Sequence, residues 1–227
     1  MLYYERALRR KGYTVIIGVD EAGRGPLAGP VVAAAVALTA ARFSCRIDDS
    51  KALTARQRIR AYQEIIGKSV FGVGIVGEKD IDRFNIRRAT RMAMEKAVDS
   101  FRARFARAER LCPHLFSSPH KMHIIVDGDM AIETGIACKP VVRGDTKSRS
   151  IACASILAKV LRDGIMVAYH GMYPRYGFIR NKGYPTREHR LSIKRYGLSP
   201  VHRRSFCSCA QKTYQSDKTQ SSEPLLI

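Results

Sequence analysis

Apolar residues along the first two-thirds of the chain fall into short runs bounded by turn residues. Runs of roughly 4–8 apolar residues are typical of buried strands. They lie at Tyr13–Val19, Pro30–Leu38, Ser69–Val76, Met122–Val126 and Lys139–Val142. We therefore predict five strands, although alanines weaken the strand signal of the second run.

Three further segments carry the signals of helices. Thr54 and Gln57 have the spacing of a capping box, and Gly67 is a typical residue at a helix end. Apolar residues spaced three and four apart predict one helix from Asn85 and another from about Thr146 to Tyr169. The apolar positions are Ile86, Ala89, Ala93, Ala97, Phe101 and Phe105 in the first, and Cys153, Ile156, Leu157, Val160, Leu161, Ile165 and Ala168 in the second.

The last part of the chain predicts short helices followed by a polar tail. Thr186 and Ser199–Pro200 have the character of helix starts, and Gly197 would end the first of these helices. Residues 211–227 are polar and show no periodic pattern, so we expect a disordered tail. Strands broken by helices, followed by helices alone, predict an α/β core with a small helical C-terminal appendage.

Length and charge narrow the class of protein. The chain has 227 residues, 45% of them apolar, which suits one compact domain or one domain with an appendage. It carries 40 Lys and Arg residues against 20 Asp and Glu residues, a net charge of +20. Such an excess favours an anionic partner. Nucleic acid is the first expectation, an anionic membrane surface the second, and a merely soluble basic surface the third.

Several classes are excluded by what the sequence lacks. No run approaches the roughly 20 apolar residues of a membrane span, and the N-terminus has no secretory apolar region. We therefore expect a cytoplasmic protein without a membrane association. The six cysteines are scattered and lack zinc-ligand spacing, so we expect reduced thiols.

Carboxylates are scarce in this chain, yet they follow three of the predicted strands. Asp20 and Glu21 follow the first strand, Asp127 follows Met122–Val126, and Asp145 comes after the strand beyond it. Open α/β sheets carry functional groups at strand ends. If these strands are neighbours, the acids converge and need a cation to offset their repulsion. Mg²⁺ or Mn²⁺ fits all-oxygen ligands.

Each acid also has a structural interpretation. Asp145 alone is more easily explained as a helix N-cap, and Asp127-Gly128 as a plain turn. Asp20 and Glu21 could form a solvated loop pair. It is the coincidence of all of them in a basic protein that favours a metal site.

Further residues have candidate roles in binding. Gly23, Arg24 and Gly25 begin a segment that formally fits the dinucleotide pattern GxGxx(G/A), but a predicted strand follows it where that pattern needs a helix. The segment suits close backbone approach to a ligand, with Arg24 on a phosphate. Lys147 could face a phosphate or be an ordinary first-turn cation. Tyr184 could stack on a sugar or base, or pack at a helix entry.

These segments together resemble the bacterial ribonuclease HII family. The first is VDEAGRGPLAGPV at 19–31, and its match is highly specific. The others, in the right order, are DSK at 49–51, VDG at 126–128, GDTK at 144–147 with SILAK at 155–159, KGYPT at 182–186 and SPVHRRSF at 199–206. The resemblance covers residues 13–206.

The resemblance implies a fold, an activity and roles for particular residues. It implies an RNase H-like mixed sheet flanked by helices, with a catalytic core at 13–170, an appendage at 171–210, an N-terminal extension at 1–12 and the tail at 211–227. It implies cleavage of RNA in RNA–DNA hybrids and 5′ of single ribonucleotides in duplex DNA, with Mn²⁺ or Mg²⁺ and no obligate protein partner. The implied metal ligands are Asp20, Glu21, Asp127 and Asp145, and the implied substrate-binding residues are Gly23, Arg24, Gly25, Lys51, Lys147 and Tyr184. Asp129 receives no role.

Two alternatives from other classes remain open at this point. A non-catalytic nucleic-acid-binding protein would carry the same net charge but would have no use for acids at strand ends. A nucleotide-dependent dehydrogenase would use the glycine loop. Cleavage with and without metal, and binding of NAD, discriminate among these alternatives.

Overall fold

The centre of the fold is one mixed sheet with the strand order β3-β2-β1-β4-β5. The computed structural model describes residues 1–40, 42–111 and 120–207. All five predicted strands are observed, as β1 (Val15–Ala22), β2 (Val31–Leu38), β3 (Ser69–Val76), β4 (Met122–Asp127) and β5 (Cys138–Val141).

Strand direction determines which ends meet. Strand β1 pairs antiparallel with β2, and β2 antiparallel with β3, whereas β1, β4 and β5 are parallel neighbours. In the parallel register Val19 lies opposite Val126, and Asp127 lies opposite Val141. The carboxyl ends of β1, β4 and β5 therefore share one edge of the sheet.

Helices cover both faces of the sheet. They are α1 (Tyr3–Arg10), α2 (Ala55–Gly67), α3 (Glu78–Leu111), α4 (Gly144–Lys147), α5 (Arg149–Met172), α6 (Phe178–Asn181) and α7 (Arg187–Tyr196). Helix α3 packs on one face through a core that includes Ala93, Ala97 and Phe101. Helices α2 and α5 pack on the other face.

Small residues in the strands allow the helices to approach closely. A Cβ atom on Gly18 would lie 2.2 Å from the backbone carbon of Ser150 in α5, and one on Gly74 would lie 2.0 Å from the carbonyl oxygen of Ala93 in α3. The alanines of β2 are buried between the same two helices. The alanine content that weakens the strand signal is thus explained by tight packing on both faces.

Two predicted helices differ from those observed. Helix α3 begins at Glu78, before the predicted start, and is interrupted at Asn85, which has φ 66° and ψ 164°. The Asn85 side chain accepts a hydrogen bond from the N–H of Arg88, so it caps the longer part of the helix. The single helix predicted from Thr146 is instead α4 and α5, separated by Ser148 in an extended conformation.

The C-terminal appendage is helical, as predicted, but its last part is not a helix from Ser199. The predicted start at Ser199–Pro200 is wrong, because a turn follows there and only a short 3-10 segment, Arg204–Phe206, comes later. Helix α7 is capped by the Thr186 side chain, as the sequence indicates. Residues 211–227 lie outside the described residues.

The described residues include four of the six cysteines and all of the helices named above. The four described cysteines, Cys45, Cys138, Cys153 and Cys207, are free thiols, while Cys112 and Cys209 lie outside the described residues. Within those ranges, no helix combines the length and apolar character of a membrane span.

Candidate active site

Asp20 and Glu21 lie within β1 near its carboxyl end, not in a solvated loop. Strand alternation directs them to opposite faces: Asp20 pairs with Ala34, which packs on the α5 side, and Glu21 pairs with Ala33, which packs on the α3 side. Asp20 is only 5% exposed, and its carboxylate accepts the N–H of Glu21 at 2.7 Å.

Asp127 and Asp145 are joined through the residue that precedes Asp145. The N–H of Gly144 donates to the Asp127 carboxylate at 2.6 Å. A Cβ atom on Gly144 would lie 3.2 Å from the same carboxylate oxygen and 2.5 Å from the side chain of Ile151, so glycine permits this approach. The N-cap residues of α4 and α5 are Arg143 and Ser148. The capping interpretation of Asp145 is therefore wrong.

Asp127 is the common electrostatic neighbour of the other three acids. Burial raises the pKa of Asp20 well above its usual value, and the charges of Glu21 and Asp127 raise it further. Burial also raises the pKa of Glu21, an effect that Arg24 opposes and Asp127 strengthens. Burial, Asp127 and Asp49 raise the pKa of Asp145. Burial together with these like charges disfavours the ionised acids, and a bound cation would offset both effects.

The residues present fit a hard divalent cation. All their donors are carboxylate oxygens, which Mg²⁺ and Mn²⁺ prefer, and Asp20 is buried against its like-charged neighbours. In the described part of the chain, however, no three His, Cys, Asp or Glu side chains form a ready-made ligand cluster. The carboxylates have taken other partners instead, Glu21 with Arg24 and Asp127 with the Gly144 N–H.

The glycine loop, residues 23–30, connects β1 to β2. Arg24 forms an ion pair with Glu21 at 3.3 Å, with about half of its side chain exposed. Strand β2 begins at Val31, and no helix follows the loop, so the dinucleotide interpretation is wrong. Gly23 has φ +99°, and a Cβ atom there would lie 2.1 Å from Nε of Arg162.

The loop that carries Lys51 is attached to α5 beside Asp20. The hydroxyl groups of Ser50 and Ser155 lie 2.9 Å apart, and the Ser155 side chain lowers the pKa of Asp20, which places it beside that acid. The Lys51 charge lowers the pKa of Asp145, which places this cation near that acid. Sequence reasoning gave no role to Asp49, the acid beside Asp145. Its position next to Ser50 and Lys51 in the DSK motif is the sequence feature that could have indicated such a role.

Lys147 is hydrogen-bonded to a backbone carbonyl, whereas Tyr184 lies beside the glycine loop. The Lys147 ammonium group donates to the carbonyl of Val142 at 2.7 Å. Tyr184 is 41% exposed, and its ring lies 3.9 Å from where a Cβ atom on Gly25 would be. The cationic groups of Lys159 and Arg162 lie 5.8 and 5.7 Å from the centre of that ring. The tyrosine thus flanks the glycine loop with its ring accessible.

Comparison with known proteins places this geometry in a family. A model of the family described as Ribonuclease HII matches residues 17–209. The ribonuclease HII of Syntrophus aciditrophicus strain SB is 48% identical over 207 residues, which cover 91% of this chain and 90% of that protein.

Solved structures support the fold. The ribonuclease H2 of Pyrococcus horikoshii OT3 is similar with a TM-score of 0.61 at 23% identity, covering 89% of this chain and 99% of that one. Bst-RNase HIII in complex with Mn²⁺ has a TM-score of 0.58 at 17% identity, covering 87% of this chain and 70% of that one. With a family model matched over most of its length and a relative nearly half identical, this chain belongs to the ribonuclease HII family and is a ribonuclease H type endonuclease that degrades the RNA of RNA–DNA hybrids.

Proposed function

We propose that the chain cuts both RNA–DNA hybrids and duplex DNA that contains a single ribonucleotide, on the 5′ side of that ribonucleotide. The observation that carries the proposal is the approach of Asp20, Glu21 and Asp145 to the common neighbour Asp127 at one sheet edge. The glycine loop, whose exposed residues are Arg24 and Gly25, begins directly beyond this edge.

In this proposal Asp20, Glu21, Asp127 and Asp145 hold Mn²⁺ or Mg²⁺. A divalent ion held there would activate a water and would stabilise charge on the phosphoryl and leaving oxygens. The Mn²⁺ in Bst-RNase HIII, which shares the fold, supports this class of ion. The carboxylates hold their positions on β1, β4 and α4. The water loses a proton as its oxygen joins phosphorus, the P–O3′ bond breaks, and O3′ takes up a proton, which leaves a 5′-phosphate on the ribonucleotide and a 3′-OH upstream.

The substrate-binding roles follow from position and, for every residue except the buried Gly23, from exposure. Gly23, Arg24 and Gly25 would approach the 2′-hydroxyl and the adjacent phosphate, because a loop of small residues admits the sugar closely. The 2′-hydroxyl is the group that distinguishes RNA from DNA. Tyr184 would stack beside that sugar. Lys51 and Lys147 would contact phosphates, Lys147 after leaving the Val142 carbonyl.

The test uses a DNA duplex that contains one ribonucleotide, and beside it a long RNA–DNA hybrid. With Mn²⁺ or Mg²⁺ we expect one cut 5′ of the ribonucleotide, with a 3′-OH and a 5′-phosphate, and with EDTA no cut. Asp20→Asn should lower cleavage by at least about a thousandfold, because it removes a ligand charge, while duplex affinity stays within about threefold. Its melting temperature should not fall, since the substitution relieves repulsion from Glu21 and Asp127.

Asp129→Asn is the matched control, because it makes the same charge change at an exposed residue two positions after Asp127. It should retain activity within about twofold. Cleavage by Asp20→Asn at the wild-type rate would refute the assigned site. A wild-type cut at any other bond, or none in the single-ribonucleotide duplex, would refute the embedded-ribonucleotide proposal.

A further inference from the structure

Two arginines lie completely buried beneath the glycine loop. Arg162 of α5 and Arg203 of the appendage each have 0% exposure. Neither forms an ion pair within the described ranges. Burying a charge without a close counter-charge is costly. Burial and the charge of Arg162 lower the pKa of Arg203 to about 10, and Glu78 only partly offsets this effect. Such an arrangement is poorly explained as a device for stability alone.

Arg203 forms hydrogen bonds to the beginning of the glycine loop and to Gly29 near its end. Its guanidinium group donates to the carbonyls of Gly23 at 2.6 Å, Arg24 at 3.0 Å and Gly29 at 2.7 and 2.9 Å. Its own N–H donates to the carbonyl of Leu27 at 2.8 Å. The side chain therefore binds three carbonyls through four hydrogen bonds, and the backbone N–H binds a fourth carbonyl, along residues 23–29.

Arg162 joins the same loop to the segment that carries Tyr184. Its guanidinium group donates to the carbonyls of Ala28 and Pro30, each at 3.1 Å, and to the carbonyl of Lys182 at 3.0 Å. The Leu27 N–H strengthens this junction by donating to the carbonyl of Gly183 at 2.8 Å. Arg162 thus helps to set the separation between the glycine loop and Tyr184.

The orientation of the loop has a consequence at its tip. Arg203 binds the carbonyls of Gly23 and Arg24 from the buried side of the loop, and Arg24 and Gly25 form the exposed tip. The N–H groups of these two residues donate to no acceptor among the residues that the structure describes. Free N–H groups above buried positive charge are suited to an anionic or hydroxyl ligand.

We propose that Arg162 and Arg203 are positioning residues that preorganise the glycine loop, so that its tip and the Tyr184 ring meet the sugar and phosphate of the substrate at a fixed separation. This inference rests on the proposed function for the identity of the group that is read. Donors that are held in position before the reaction need no rearrangement during it. Removing the contacts that hold the loop should therefore slow the chemical step.

The test compares Arg162→Lys and Arg203→Lys with the wild type. Lysine retains the charge but lacks the planar fork that binds several carbonyls at once. Single-turnover cleavage is measured with saturating enzyme and Mn²⁺, at a temperature where circular dichroism shows each protein folded. We expect the rate constant to fall at least thirtyfold in both variants. An unfolded fraction would not change a rate constant measured at saturating enzyme, so this readout separates positioning from stability.

Arg175→Lys is the matched control, because Arg175 is exposed and its guanidinium group lies 5.4 Å from the centre of the Tyr196 ring in the appendage. Its rate constant should stay within twofold of the wild type. The Mn²⁺ concentration for half-maximal rate should change less than threefold in all variants, since the carboxylates are untouched. The proposal is overturned if both lysine variants cleave within threefold of the wild type, or if the half-maximal Mn²⁺ concentration shifts tenfold.

Each variant is measured on a long RNA–DNA hybrid as well as on the single-ribonucleotide duplex. A wild type that cuts only the hybrid would refute the embedded-ribonucleotide proposal. The arginine comparison on the hybrid would then still decide the present inference, since the hybrid also presents 2′-hydroxyls.

Discussion

At the scale of single residues, a buried pair of histidines links the Tyr184 segment to the end of the appendage. The Nε2 atoms of His189 and His202 lie 3.0 Å apart. Nδ1 of His202 accepts the N–H of Ser199, so its proton lies on Nε2 and is donated to His189. His189 then carries its own proton on Nδ1 and donates it to the carbonyl of Tyr184 at 2.9 Å. Both rings must be neutral for this chain of hydrogen bonds to form.

This pair predicts a loss of stability in mild acid. Burial lowers the pKa of both rings, that of His202 to about 4, whereas an unfolded histidine binds a proton near pH 6.5. The unfolded state therefore takes up protons first, so stability is complete above about pH 6.5 and declines as the pH falls toward 4. Between pH 7.5 and 5.0 we expect His202 to account for a loss of about 2 kcal/mol in the free energy of unfolding, measured with urea.

The matched variant is His202→Asn, whose amide oxygen can accept the Ser199 N–H in place of Nδ1. Its stability should depend less on pH across the same interval. An equal decline in wild type and variant would show that other groups cause the acid sensitivity.

At the scale of elements, helix α1 is attached to the start of α5 through a buried acid. The Glu5 carboxylate accepts the hydroxyl of Ser148 at 2.7 Å, and the hydroxyl and N–H of Ser150, each at 3.0 Å. It lies at the amino end of α5, where helix N–H groups are free and the dipole favours an anion. Leu8 of α1 packs in the same small core as Ile151.

Glu5→Ala should therefore destabilise the protein substantially. The substitution removes charge-assisted hydrogen bonds and leaves buried donors without an acceptor, which costs about 2–3 kcal/mol in the free energy of unfolding. Glu188→Ala is the control, because the Glu188 side chain is 75% exposed and lies 3.6 Å from Arg180. That change should cost no more than about 0.5 kcal/mol. Similar urea midpoints for the two variants would contradict the anchoring role of α1.

The elements that the sequence predicts well are those set by local pattern. Apolar runs predict all five strands, and acids after parallel strands predict that Asp20 and Asp127 lie at one edge. The break at Ser148 escapes prediction, because the apolar stripe begins only after it, at Cys153, and the partner, Glu5, lies far away in the sequence. The roles of Arg162 and Arg203 escape it for a related reason. Their partners are backbone carbonyls, and because every residue has one, the sequence does not show which carbonyls are bound.

At the scale of the whole molecule, the charge distribution serves two purposes that oppose each other. A net charge of +20 attracts a polyanion, while the few acids at the sheet edge repel it. A non-catalytic binding protein would gain nothing from those acids, and family membership excludes that alternative. Under the proposed function, the surface cations would supply affinity for the duplex and the buried acids would supply the chemistry.

Duplex affinity should consequently depend steeply on salt, because each neutralised phosphate releases counterions. If about five phosphates are neutralised, the affinity of the Asp20→Asn variant for duplex should fall roughly 500-fold between 50 and 200 mM KCl. Lys51→Gln should lower the slope of log K against log salt by about one, since Lys51 lies beside Asp145. Lys11→Gln is the control, because Lys11 precedes the amino end of β1, opposite the acids, and should leave the slope unchanged. A flat salt dependence, or equal effects of the two lysines, would mean that the excess charge does not act through contacts around this edge.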